Sequence, residues 1–279
     1  MTKMFWVVVV ATLVSCSGKV SWTPEPEGSA WNGATFGPLC DGDSNVRLAI
    51  TISGGPVDPG FEVTHPFGQA FLFVTGTCHY YVSTGFLDGV ITHQTLTQQE
   101  AAELEALSGW NQVASWGEVG DLGCNDAGTV TVYVPGSATD CSCGCDDQAP
   151  EEKSVTLDRL SGAMDAYLFA GSVLDQPVQL FLVALAKVPP LHRTRDFPLT
   201  WDPAEVAVSR SDFLQGGEDL GIVIDDPVEA SQLREIRQGM AHIDPRIFFR
   251  TKNHRYFQAY IIDILPEDVE QSASAFIQR

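Results

Sequence analysis

The stretch that most constrains this chain is its start. Met1-Thr2-Lys3 carries one positive side chain and no acid, and residues 4–14 are apolar apart from Thr12. Ser15 and Cys16 follow. A positive start, a short apolar core and small residues before a cut are the features of a secretory signal peptide. The run falls short of the about 20 residues that a membrane-spanning helix needs. The expectation is therefore a signal over residues 1–15, with no second long apolar run behind it. Export bears on folding, because it carries the cysteines into a compartment where disulfides form and persist.

Leu13-Val14-Ser15-Cys16 resembles the lipobox of bacterial lipoproteins, an aliphatic residue and two further residues ahead of a Cys. The resemblance implies that Cys16 becomes the mature N-terminus and carries acyl chains. Several chains on one residue anchor a protein stably, where one chain binds only marginally. Ser17 follows Cys16, not Asp, and for this family that implies sorting to the outer membrane of a Gram-negative envelope. The plain alternative is an ordinary cleaved signal with Cys16 as a spare thiol. Beyond its start, the chain looks like uncharacterised secreted lipoproteins that contain cysteines, a likeness that implies a location and no activity.

Charge excludes some partners. The net charge is −20, and residues 48–152 contain fourteen acids and no Lys or Arg. Nucleic-acid binders carry basic stripes, so DNA and RNA are not expected partners. Nor can the net charge hold the protein on anionic lipid; the acyl chain must do that. The plain reading of the acidity is a soluble surface, and the alternative is binding of a cation or a cationic partner. A hydrophobic content of 44% is enough for a core.

Apart from Cys16, the cysteines are Cys40, Cys78, Cys124, Cys141, Cys143 and Cys145, an even number. In an exported chain this suggests disulfides, although sequence alone leaves the connectivity open. The preferred scheme joins Cys40 to Cys78 and Cys124 to one member of the 141–145 cluster. The third bridge then uses the remaining two cluster cysteines, or the first pair re-partners into the cluster. Three thiols in five residues could also hold Zn or Cu(I). Structural zinc sites favour wider spacing, however, and no Cys-His block follows. The disulfide reading is preferred, and no cofactor or metal is assigned.

Residues 16–39, rich in Gly, Pro, Ser and Trp, read as a lipid-anchored tether. An acidic cysteine-containing domain is expected over 40–172 and a second domain over 173–279. Residues 47–53 alternate and read as a strand. Residues 69–75 and 78–83 read as strands joined by a two-residue Gly76-Thr77 turn, and 87–94 as the next strand. Thr97 and Glu100 form a capping box ahead of an apolar stripe at Ala101, Leu104 and Leu107; Gly109 ends that helix. A strand over 129–134 closes at Pro135-Gly136, and a helix over 155–169 has Ser154 as its cap. Residues 178–188 read as a strand buried on both sides, and 220–224 as a short one. Asp226-Pro227 starts a helix whose buried face is expected at Val228, Leu233, Ile236 and Met240. Residues 256–265 form a last strand. Strands and helices mix without regular alternation, so the class is α+β, mainly antiparallel sheet with a few packed helices.

Few residues suggest chemistry. Asp41-Gly42-Asp43-Ser44-Asn45 resembles half of a calcium loop but lacks its Gly and its final Glu, and reads as a turn. His65, His79 and His93 are the potentially basic side chains of the acidic half, and a structural role is expected of them. The P-loop, zinc-protease, dinucleotide and nucleophile-elbow motifs do not occur. Arg246, Arg250, Lys252, His254 and Arg255 form a basic patch, read as docking on the acidic half or solvating a loop. Ser53-Gly54-Gly55, Leu96-Thr97 with Glu100-Ala101 and Leu104, and a strand over 129–134 followed by a helix resemble the layout of emfourin-type inhibitor domains. That likeness implies protease inhibition by the first half. The preferred expectation is a lipid-anchored envelope protein, non-enzymatic, with no assigned catalytic residue. Its partners are the membrane, through the N-terminal lipid, and a protein of the envelope.

Overall fold

The β-branched run around Ile50 becomes the middle of the larger sheet. The structure is a computed structural model that describes residues 36–54, 67, 70–83, 89–116, 128–142, 151–216, 220–240 and 247–278. Strand β1 (Val46–Gly54) pairs antiparallel with β2 (Ala70–Thr75) on one side and β5 (Gly128–Val134) on the other. With β3 (His79–Ser83), β4 (Thr92–Thr95), β6 (Ser137–Ser142) and β7 (Ser172–Val173), the order is β6-β5-β1-β2-β3-β4-β7. Alternation decides what each face covers. Leu48 and Ile50 point into a core with Leu104 of α1 (Gln98–Leu107), Trp116 of α2 (Val113–Trp116) and Leu160 of α3 (Glu151–Ala170). Ala49, Phe71 and Phe73 point the other way, against Val269 and Ala273 of α6 (Glu267–Ile277).

The smaller sheet has the order β10-β8-β12-β11-β9, from β8 (Val178–Leu185), β9 (Thr194–Asp196), β10 (Ile222–Ile224), β11 (Ile247–Arg250) and β12 (Tyr256–Asp263). Its pairs are antiparallel except β11 with β9. Helix α5 (Pro227–Met240) packs Ala230 and Leu233 on one face, and α4 (Arg210–Gly216) packs Phe213 on the other. The fold is α+β. From residue 36 onward the described chain packs as one compact unit.

Several local expectations meet a correction. Residues 36–39 belong to the body and not to the tether. Leu39 is fully buried, its N–H donates to Glu105 Oε1 at 2.6 Å, and Trp110 Nε1 donates to the Gly37 carbonyl. The β2–β3 loop has three residues, with Cys78 at φ 65°, because Cys78 N–H closes a turn on the Thr75 carbonyl before the strand resumes. Helix α3 begins at Glu151, so Ser154 lies inside it and is no cap. Strand β8 stops at Leu185, short of the expected 188. Val228 is 63% exposed and not part of the buried face. Strand β6 carries little apolar pattern of its own; α6 does carry an apolar face, with Val269, Ala273 and Phe276 at helical spacing, and the sequence reading places neither element. Strand β5 is therefore followed by a strand before any helix, unlike the inhibitor layout.

The boundary expected at residue 172 is crossed in both directions. Strand β7 and Leu174 join the first sheet's side, and α6 covers that sheet from the far end of the chain. A buried carboxylate ties the two sheets together. Asp263, at the end of β12, is fully buried. Its Oδ1 accepts from Arg234 Nε and its Oδ2 from Arg237 Nη2, each at 2.9 Å. Oδ2 also accepts from the Ile91 N–H at 3.0 Å, beside β4 of the other sheet. Asp263 N–H donates to the Gly89 carbonyl at 2.8 Å, and Arg237 Nη1 donates to the carbonyls of Gly89 and Ile261. Gly89 is required here: its φ is 71°, and a Cβ would lie 2.9 Å from Ile262 Cα. Taking one partner from a buried ion pair leaves the other charged and unpaired, at a cost of about 3–5 kcal/mol. Asp263→Ala is expected to lower the unfolding free energy by about that amount in urea titration, and a loss below about 1 kcal/mol would contradict this role.

Candidate binding cleft

A cleft of about 650 Å³ lies between the β5–β6 hairpin, the start of β1 and the C-terminal end of α6. It exists because α6 covers the β1 and β2 side of its sheet face and leaves the outer hairpin bare. Thr131 and Tyr133 of β5 share that face with their register partners Asp140 and Ala138 of β6. Tyr133, Pro135, Phe276 and Ile277 supply apolar walls, and Asp43, Arg47 and Asp140 supply charge. The size and the mixed lining suit a small-molecule or peptide-end site.

Two of these charged residues keep a buried atom without a hydrogen-bond partner, Arg47 Nε and Asp140 Oδ1. Buried polar atoms are nearly always paired, so such exceptions mark places where a ligand or water would be accommodated. The Arg47 guanidinium donates to Asp41 through Nη1 and sits 5.9 Å from the centre of the Trp110 ring. Ser272 Oγ accepts from the Val46 N–H at 2.7 Å, which fixes α6 against the start of β1. Among the described residues the lining holds no His, Lys or Cys. The lining sets cation and carboxylate on one side and aromatic and aliphatic surface on the other.

Beside the cleft, residues 40–45 are held onto the β2–β3 hairpin. Cys40 and Cys78 form a disulfide with Cα atoms 5.0 Å apart. A loop of this span, 38 residues in sequence, is expected to stabilise by about 4 kcal/mol on chain-entropy grounds. Gly42 N–H donates to the Gly76 carbonyl at 2.7 Å, and Gly76 N–H to the Asn45 carbonyl at 3.0 Å. A side chain at Gly76 would strike Asp41 Oδ1 and come within 2.7 Å of the Asp43 carbonyl. The stretch with a calcium-loop look is a turn. Asp41 accepts from the Asp43 N–H and from Arg47, and Asp43 accepts from the Asn45 N–H.

The other sequence candidates are scattered. Cys16, Cys124, Cys143, Cys145, His65 and Arg246 lie outside the described residues, as does the Cys141 side chain, although Cys141 pairs with Val130 along β6. Among the described residues no group of three or more His, Cys, Asp or Glu side chains could hold a metal ion. The basic patch does not dock on the acidic half: Arg250 pairs with Asp196 in its own sheet, while Lys252, His254 and Arg255 are exposed on the β11–β12 turn. Comparison with known proteins finds no family model, no curated protein and no solved structure that matches this chain.

Sequence reasoning missed the cleft because it missed α6, and it missed the buried arginines of α5. Their signal was present: Ala230, Leu233, Arg234 and Arg237 fall at helical spacing on one face, and Asp263 interrupts an apolar strand.

His79 and His93 occupy one face of neighbouring strands. Thr95 Oγ1 lies 3.1 Å from His79 Nε2, and His93 stacks on Tyr81 with ring centres 6.0 Å apart. Burial, then the nearby His79, pushes the His93 pKa below its usual 6.5. As pH falls, the unfolded chain takes up that proton first. The stability is therefore complete above about pH 6.5 and declines as pH drops from there through the folded value. His93→Gln is expected to flatten this decline in melting temperature against pH, and an unchanged slope would contradict the assignment.

Proposed function

We propose that this chain is an exported, lipid-anchored envelope protein whose folded body is a non-enzymatic binding module, with the cleft beside α6 as its binding face. The observation that carries the binding reading is the cleft itself. It is an open, mixed-polarity site with two buried polar atoms lacking partners. The Cys40–Cys78 disulfide fits an oxidising compartment. The signal and lipobox pattern at residues 1–16 supports the anchor.

One experiment addresses both parts. The wild-type chain, Cys16→Ala and Ala275→Trp are expressed in a Gram-negative host and compared. Labelled fatty acid is expected on the wild type and on Ala275→Trp, with Cys16→Ala unlabelled and lost from the membrane fraction. In a thermal-shift screen of small molecules and short peptides, hits that stabilise the wild type are expected to fail with Ala275→Trp, whose indole would fill the cleft. Unchanged membrane partition of Cys16→Ala removes the anchor, and hits unaffected by Ala275→Trp remove the cleft.

A further inference from the structure

The net charge of −20 conceals a concentration of cations at one end of the smaller sheet. The register brings together the end of β8, the β11–β12 turn and the end of β9. Leu185 pairs with Tyr256, Tyr256 with Arg250, and Arg250 with Asp196. Residues 186–196 and 250–255, which build this end, contain six Lys or Arg and a single acid, Asp196. That acid is already engaged, since Arg250 Nη2 donates to it at 2.7 Å. Lys187, Arg195, Lys252 and Arg255 are exposed. Two aliphatic side chains protrude among them, Val188 at 64% and Leu191 at 66% exposure. They are held in place. Pro189 between them is buried, Leu191–Arg193 forms a 3-10 turn, and Thr194 Oγ1 donates to the Pro190 carbonyl at 3.1 Å.

We propose that this end of the smaller sheet docks on a bilayer surface containing anionic phospholipid. Lys and Arg within a Debye length of such a surface are attracted to its headgroups. Exposed aliphatic side chains between them add apolar burial at the interface, the second contribution that interfacial binding uses. The combination selects the partner. A free phosphate or a nucleic acid would engage the cations but leave Val188 and Leu191 in water. A protein interface is enriched in aromatic residues, Met and Arg and depleted in Lys, whereas this surface sets two exposed Lys beside its two exposed Arg and shows aliphatic side chains between them. The surface extends the envelope reading without depending on the acyl chain, and it sits in a different sheet from the cleft.

The test uses the full chain with vesicles of phosphatidylcholine alone or of equimolar phosphatidylcholine and phosphatidylglycerol, read by flotation and by amide hydrogen exchange. Exchange over 186–195 and 251–255 is expected to slow several-fold on the anionic vesicles relative to the neutral ones. The slowing is expected to vanish at high salt and in the doubly substituted Lys252→Glu/Arg255→Glu chain, whose exposed turn positions leave the fold intact. Equal exchange on both vesicles overturns the proposal. Loss of a vesicle-free dimer in the doubly substituted chain also overturns it, because the surface's partner is then a second copy. Failure to float with neutral vesicles counts against the acyl anchor, while slowing confined to anionic vesicles still supports the surface.

Discussion

One carboxylate, Asp263, holds the two halves of this protein in register. It closes the last strand of the smaller sheet, receives two guanidinium groups from one helix face, and accepts the Ile91 N–H of the larger sheet's border. Two buried cations against one buried anion would leave an excess charge. Carbonyl oxygens disperse it: Arg237 donates to Gly89 and Ile261, and Arg234 to Gln176. Arg237 Nε is buried without a hydrogen-bond partner. Such a cluster contributes modest net stability, because desolvation offsets most of the attraction, but it penalises any arrangement that leaves one member unpaired. It specifies how the sheets meet more than how strongly they cohere.

The elements on either side of residue 172 are accordingly interleaved, with Leu174 and α6 packed into a core of the larger sheet. Each half builds a sheet with its own apolar contacts, as the alternating segments 47–53 and 129–134 and the apolar run from 178 suggested. The interleaving depends on residues whose signal is long-range. Strand β7 is two residues long, and α6 begins at Pro266-Glu267 without a side-chain cap bond. The helix that was read most fully, α1, carries a local signature in both directions, Thr97 to Glu100 and back. The arginines of α5 were legible as a periodic face but run against the expectation that a helix's buried stripe is apolar. The turn after β2 is one residue longer than the Gly76-Thr77 expectation because Cys78 N–H closes it on the Thr75 carbonyl.

Function follows the same division between local and assembled signals. The anchor reading rests on sixteen contiguous residues and needs no fold. The cleft needs three separated elements, β1, the β5–β6 hairpin and α6, so no window of sequence displays it. The cationic end of the smaller sheet lies between these cases. Its 250–255 half was visible as a basic patch, but its 187–195 half joins it only through the crossover from β8 to β9. In both sites charge works beside exposed apolar surface.

The most direct measurement is equilibrium unfolding followed by hydrogen exchange at increasing urea, with separate readouts for β1–β2 and for β8–β12. If the buried Asp263 cluster makes the sheets mutually dependent, both lose protection in one coincident transition. Two separated transitions, with either sheet persisting after the other has opened, would contradict that account.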